Sequence, residues 1–79
     1  MNKINELKPG DEGVVIEALI NRVVVGKTNG ANRSTYLSIT LQDATGTIDA
    51  KLWNATNAQV EKLVMGCVVQ VKGDVIKYN

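Results

Sequence analysis

The 79-residue chain has no histidine and no phenylalanine, one cysteine, one proline and three aromatic side chains, Tyr36, Trp53 and Tyr78. Without histidine it holds no Ser–His–Asp triad, no Cys–His pair and no His-ligated metal. A lone thiol, Cys67, forms no internal disulfide, which points to a reducing, cytoplasmic setting. Neither charge sign dominates, since nine basic and eight acidic side chains leave a formal net charge of +1. The polar start, Met1 to Glu6, lacks the apolar stretch of a signal peptide, and no apolar run approaches the roughly 20 residues that span a bilayer. Asp11, Asp43, Asp49 and Asp74 fall in turns and on polar strand positions, without the clustering of a carboxylate dyad or metal site. The chain therefore reads as a binder rather than an enzyme, with no cofactor or metal of its own.

What is present favours strands. Valine, isoleucine and threonine supply 23 of the 79 residues, and β-branched side chains suit a pleated, half-buried surface. The length allows one domain over residues 1–79 with a thin core. Ile4 and Leu7 are placed to tuck a lead-in segment onto that core, ahead of the turn Lys8-Pro9-Gly10-Asp11-Glu12-Gly13. From Val14 to Val25 the apolar positions switch parity: Val14, Ile16 and Ala18 share one face, and Leu19, Val23 and Val25 the other. A bulge near Ala18–Ile20 reconciles the halves.

A polar loop follows, from Gly26 to Ser34. Then Leu37, Ile39 and Leu41 alternate with Tyr36, Ser38, Thr40 and Gln42, a period of two. Asp43-Ala44-Thr45-Gly46 reads as a tight turn with Gly46 at positive φ. Ile48, Ala50 and Leu52 then alternate with Thr47, Asp49, Lys51 and Trp53. Over residues 54–65 the period changes: Val60, Leu63 and Val64 recur at helical spacing, Asn54 or Thr56 caps the start, and Gly66 suits the C′ position. From Cys67 to Tyr78 alternation returns, with Cys67, Val69, Val71 and Val75 inward and a bend at Gly73.

A bent strand, a polar loop, a hairpin, a short helix and a further strand is the order of an OB-fold. The expected class is mainly β: a five-stranded Greek-key barrel with its helix between strands three and four, lacking all or most of the fifth strand. The first and fourth strands are then expected to lack a closing partner, leaving open edges for a homo-oligomer, a swapped strand or a last segment folded back.

Three segments resemble one family. Ile4-Asn5-Glu6-Leu7-Lys8-Pro9-Gly10-Asp11 is similar to the opening of the YhaM-type 3′–5′ exoribonucleases, also called CMP-binding factors. The run from Tyr36 to Trp53, with its pattern LQD-x-TG-x-I-x-AKLW, and the run from Gly66 to Val75 resemble that family's N-terminal OB domain. Looser versions of the pattern occur in other nucleic-acid-binding OB domains, including tRNA anticodon-binding ones. The resemblance implies a single-stranded RNA or DNA partner and a tethered HD-type hydrolase domain. That domain needs His and Asp ligands, so it lies outside this chain, and the unit is expected to be cut at its C-terminal side.

An OB-fold binds single strands across strands two and three and the loops beside them, using cations for phosphates and aromatic planes for bases. That face carries Tyr36, Ser38, Thr40, Asp49, Lys51 and Trp53. The first loop adds Lys27, Asn29, Asn32 and Arg33, while Lys72, Lys77 and Tyr78 lie toward the second. Each has a plainer reading. Trp53 either stacks on a ligand or covers the barrel's end, and Tyr36, on the polar parity, is read as a ligand or surface residue. Tyr78 packs against a missing strand, and Lys27, Arg33 and Lys51 are merely solvated. Cys67, on the apolar parity, is read as buried and inert. A pI of about 7.8 is below the value of about 9 of strongly basic nucleic-acid binders, so weak, salt-sensitive binding is expected. The alternative is a protein-interaction or oligomerisation module, motivated by the near-neutral charge and open strand edges.

Overall fold

Strict alternation builds the centre of the sheet. The computed structural model describes residues 1–30 and 33–76. In it, β2 (Thr35–Asp43) and β3 (Gly46–Leu52) form the expected hairpin, in register from Leu37↔Leu52 to Asp43↔Gly46. Leu37, Ile39 and Leu41 are buried, and Ile48, Ala50 and Leu52 pack against them half-buried. The turn differs from expectation, because the glycines at positive φ are Gly10, Gly13, Gly30 and Gly66, and Gly46 is not one of them. The Asp43 side chain closes it instead. One carboxylate oxygen accepts the N–H of Thr45 at 2.7 Å, the N–H of Gly46 at 3.2 Å and the Thr45 hydroxyl. The other accepts the N–H of Ile4 at 2.9 Å. A side chain that mimics a backbone turn removes the need for left-handed backbone. The Thr45 hydroxyl first, then the Ile4 N–H and the turn's own N–H groups, holds the carboxyl below its ordinary range against an opposing effect of burial.

β1 (Val14–Lys27) is one strand shared between two partners. Val14 to Leu19 pair with β4 (Val68–Gly73), and Leu19 to Lys27 pair with β2. The register shifts between Ile20 and Arg22, so Asn21 is the extra residue, one step beyond the expected bulge. Ile16, Ala18 and Ile20 are therefore the buried set, and Leu19 is turned outward. Two adjacent apolar residues of equal size, Leu19 and Ile20, made either parity possible, and the bulge after Ile20 keeps Ile20 in the buried row of Ile16 and Ala18. The sheet order is β3-β2-β1-β4. The fourth strand does lack a partner on one side, as expected, but the first does not: β1 is paired along both halves, and the open edges belong to β4 and β3.

The connection from β3 to β4 holds α1 (Asn57–Lys62), shorter than the sequence suggests. Thr56 is its N-cap, accepting the N–H of Gln59 at 3.2 Å, while Gln59 returns a side-chain oxygen to the N–H of Thr56 at 2.9 Å. Val60 and Leu63 face the core half-buried, but Val64 is exposed. Gly66 is not the C′ residue, because the cap is Leu63. Its φ of +96° instead turns the chain into β4. The Gly66 N–H donates to the Ile20 carbonyl at 2.8 Å, and the Ile20 N–H to the Cys67 carbonyl at 2.7 Å. Cys67 is half-buried rather than buried, its thiol 3.7 Å from the Lys62 carbonyl oxygen.

The lead-in segment behaves as read. A single 3-10 turn, Ile4–Glu6, buries Ile4 against the sheet, with Leu7 packed beside it. After β4 the backbone of Val75 exchanges hydrogen bonds with the Gly10–Asp11 turn, each 2.8 Å long. Between the free edges of β3 and β4 lies a seam floored by α1, with a cavity of about 510 Å³ lined by Ala50, Leu52, Leu63, Val69 and Val71. A second, of about 450 Å³, continues it toward Leu7, Val14 and Ile76. No helix among the described residues is long and apolar enough to cross a membrane.

Candidate nucleic-acid interface

Antiparallel pairing puts directly opposed side chains on one face, so the register defines the outer surface of β1, β2 and β3 row by row. One row is Arg22, Thr40 and Asp49; the next is Val24, Ser38 and Lys51. A third places Gly26 opposite Tyr36. Trp53, the residue after β3, extends this row past the Leu37↔Leu52 pair. The chain turns sharply there: Asn54 takes φ +54°, and the Ala55 N–H donates to the Thr35 carbonyl at 2.8 Å. That bond ties the end of β3 to the start of β2 and brings Trp53 beside Tyr36.

The two rings are 5.5 Å apart between centroids and inclined at 47°. The Lys51 ammonium is 5.0 Å from the Tyr36 centroid and 5.4 Å from that of Trp53. Both distances are within cation–π range. Trp53 is 53 % exposed, and its other side lines the second cavity. Tyr36 is half-buried, and Ser38 and Thr40 show partial exposure between the neighbouring rows. The Thr40 hydroxyl donates to Asp49 at 3.0 Å, which puts a carboxylate at the end of the face remote from the rings. Aromatic planes and an ammonium thus stand at one end of the face, and a hydrogen-bonded acid shares the other with Arg22.

Of the other expected residues, Lys27, Arg33 and Lys72 are among those described. Lys27 begins the loop on the ring side, its ammonium donating to the Thr35 hydroxyl at 2.6 Å, and Arg33, later in the same loop, is exposed. The loop is pinned at its base, where the Ser34 N–H donates to the Thr28 hydroxyl at 3.0 Å. Lys72 is exposed on β4 and reaches the seam from the opposite bank to Lys51. Asn32, Lys77 and Tyr78 lie outside the described residues. Two residues on this face were not singled out from the sequence. Arg22 is an exposed cation in the row of Thr40, hidden in a Val-rich run where only the bulge fixes its side. Gly26 belongs to the row of Tyr36, and its contact across strands leaves no trace in local sequence.

Comparison with known proteins identifies the family of the chain. Residues 14–79 match the family described as the OB-fold nucleic acid binding domain. Over 61 residues the chain is 37 % identical to the 3′-5′ exoribonuclease YhaM of Oceanobacillus iheyensis, a match covering 77 % of this chain and 19 % of that protein. The chain thus spans about a fifth of the length of this curated relative. No solved structure gives a significant match.

Proposed function

This chain belongs to the OB-fold nucleic acid binding domain family, and from that premise we propose that it binds single-stranded RNA or DNA across β2 and β3 without catalysis of its own. The observation that carries the reading is the Tyr36–Lys51–Trp53 cluster on an exposed sheet face. Stacking on aromatic rings holds unpaired bases whatever their identity, and a cation beside the rings meets the phosphate that follows. Ser38 and Thr40 offer hydroxyls to sugar or phosphate, and Arg22, Lys27, Arg33 and Lys72 extend the cationic path. In a longer protein like the exoribonuclease relative, the unit would hold the strand while a tethered HD-type hydrolase domain cuts it. Fluorescence anisotropy with labelled oligo(U) and oligo(dT) at low salt tests the reading. Saturable binding to both is expected; no binding at high micromolar concentrations of folded protein sinks it.

A second reading, assembly, is favoured by the seam. The β3 and β4 edges face each other across an apolar groove, and an uncovered edge is a template for another strand. On this reading residues 1–79 are one binding unit completed by a fifth strand, from beyond the described residues or from a second copy. Sedimentation distinguishes the cases: a monomer at all concentrations counts against assembly.

A further inference from the structure

We infer that Gly26 is a positioning residue for nucleotide binding, a strip of bare backbone on which the Tyr36 ring is seated; the inference rests on the reading of Tyr36 as a stacking plane. Gly26 opposes Tyr36 in the β1–β2 ladder. A Cβ built there would collide with Cζ of Tyr36 and stand 2.5 Å from its hydroxyl oxygen and 2.8 Å from Cε1. The phenol is therefore laid across β1 instead of standing up from β2.

No other demand explains the glycine. Its φ is not positive, so left-handed backbone is not required. Glycine in a strand interior also weakens that strand, and it commonly marks a close approach by another group. Here the approaching group is an aromatic ring from the neighbouring strand, an arrangement that covers the bare backbone.

The seat determines the ring's remaining neighbours. With β1 beneath it, Tyr36 meets Trp53 at 5.5 Å and Lys51 at 5.0 Å. Any side chain at position 26 would drive the ring off β1, toward the space between Lys51 and Trp53. A base would then find a displaced plane, and the ammonium meant for its phosphate would be crowded. A ring held in place beforehand loses little freedom on binding, which is how preorganisation raises affinity.

The test compares Gly26→Ala, Tyr36→Ala and the double variant. Three readouts are used: anisotropy with labelled oligo(dT), thermal melting, and the NMR position of the Trp53 indole N–H in free protein. Gly26→Ala is expected to stay folded, to shift the Trp53 resonance and to bind about tenfold more weakly, within the range a lost stacking contact allows. Because it acts through the ring, it should add nothing in the Tyr36→Ala background. Wild-type affinity in Gly26→Ala, alongside weakened Tyr36→Ala, overturns this inference alone, as do losses that multiply in the double variant. Wild-type affinity in Tyr36→Ala overturns the stacking reading and this inference with it. If Gly26→Ala does not fold, the seat requires the double variant to regain its melting transition, since removing the ring removes the collision. A double variant that stays unfolded overturns the inference.

Discussion

Trp53 contributes its indole to the outer face while leaving the core to others, so stability and binding should separate on its removal. Trp53→Ala is expected to weaken oligonucleotide binding by about 5- to 150-fold, the loss of one stacked base at roughly 1–3 kcal/mol. Melting should move little, because more than half of the residue is already in water. Anisotropy and melting on the same sample check both halves. Asp43 makes the converse case, a polar residue whose hydrogen bonds all serve the turn and the lead-in segment. Its folded pKa is depressed, so its stabilisation is fully present above the ordinary aspartate value and is lost as pH falls through the lowered one. Asp43→Asn should lower the melting temperature at pH 7 and flatten its decline below about pH 4. The outer-face placement of Tyr36 and Lys51 was legible because their parity was clean. The places of Arg22 and Gly26 were not, since one depends on a bulge and the other on a contact across strands.

Among the elements, the β2–β3 hairpin could be read outright. Five alternating apolar positions from Leu37 to Ala50 and a four-residue polar turn allow only one register. The bulge was legible as a need but not as a place, because Leu19 and Ile20 satisfy either parity locally. The helix was overextended for a related reason: Val64 keeps the spacing, yet the chain must leave the helix to reach β4 through Gly66. Six helical residues are too few to persist without their cap. Thr56→Ala should therefore cost about 1 kcal/mol in a urea titration, within the usual range for a lost N-cap. Leu37→Ala, at a fully buried position, should cost about 2–5 kcal/mol and unfold a large fraction of so small a domain.

At the scale of the molecule, charge sets how tightly the face can hold a strand. Arg22 and Lys51 lie on it, with Lys27 and Lys72 at its margins. Two to four phosphate contacts give a slope of log K against log salt of about −1.5 to −3 for a single strand. A titration series from low to moderate salt measures it, and a far steeper slope would place phosphates on cations elsewhere. One edge of the seam, β4, was legible as a strand without its partner, but the other was placed on β1 and not β3, because the bend readable in β1 did not say that its two halves would pair with different strands.

That shared strand also orders events in time. The β2–β3 hairpin joins near neighbours through a short turn and can close within microseconds. The β1–β4 ladder joins Val14 to Gly73, nearly opposite ends of the described chain, and must overcome the entropy of a long loop. β4 therefore docks late. Shortening Val69 or Val71 should speed unfolding and leave the folding rate nearly unchanged, whereas shortening Ile39 should slow folding itself. Stopped-flow chevrons separate the two. During synthesis β1 emerges first, gains β2 and the hairpin next, and waits longest for a partner along its Val14–Leu19 half, so the interval before β4 arrives is when misassociation is the greatest hazard.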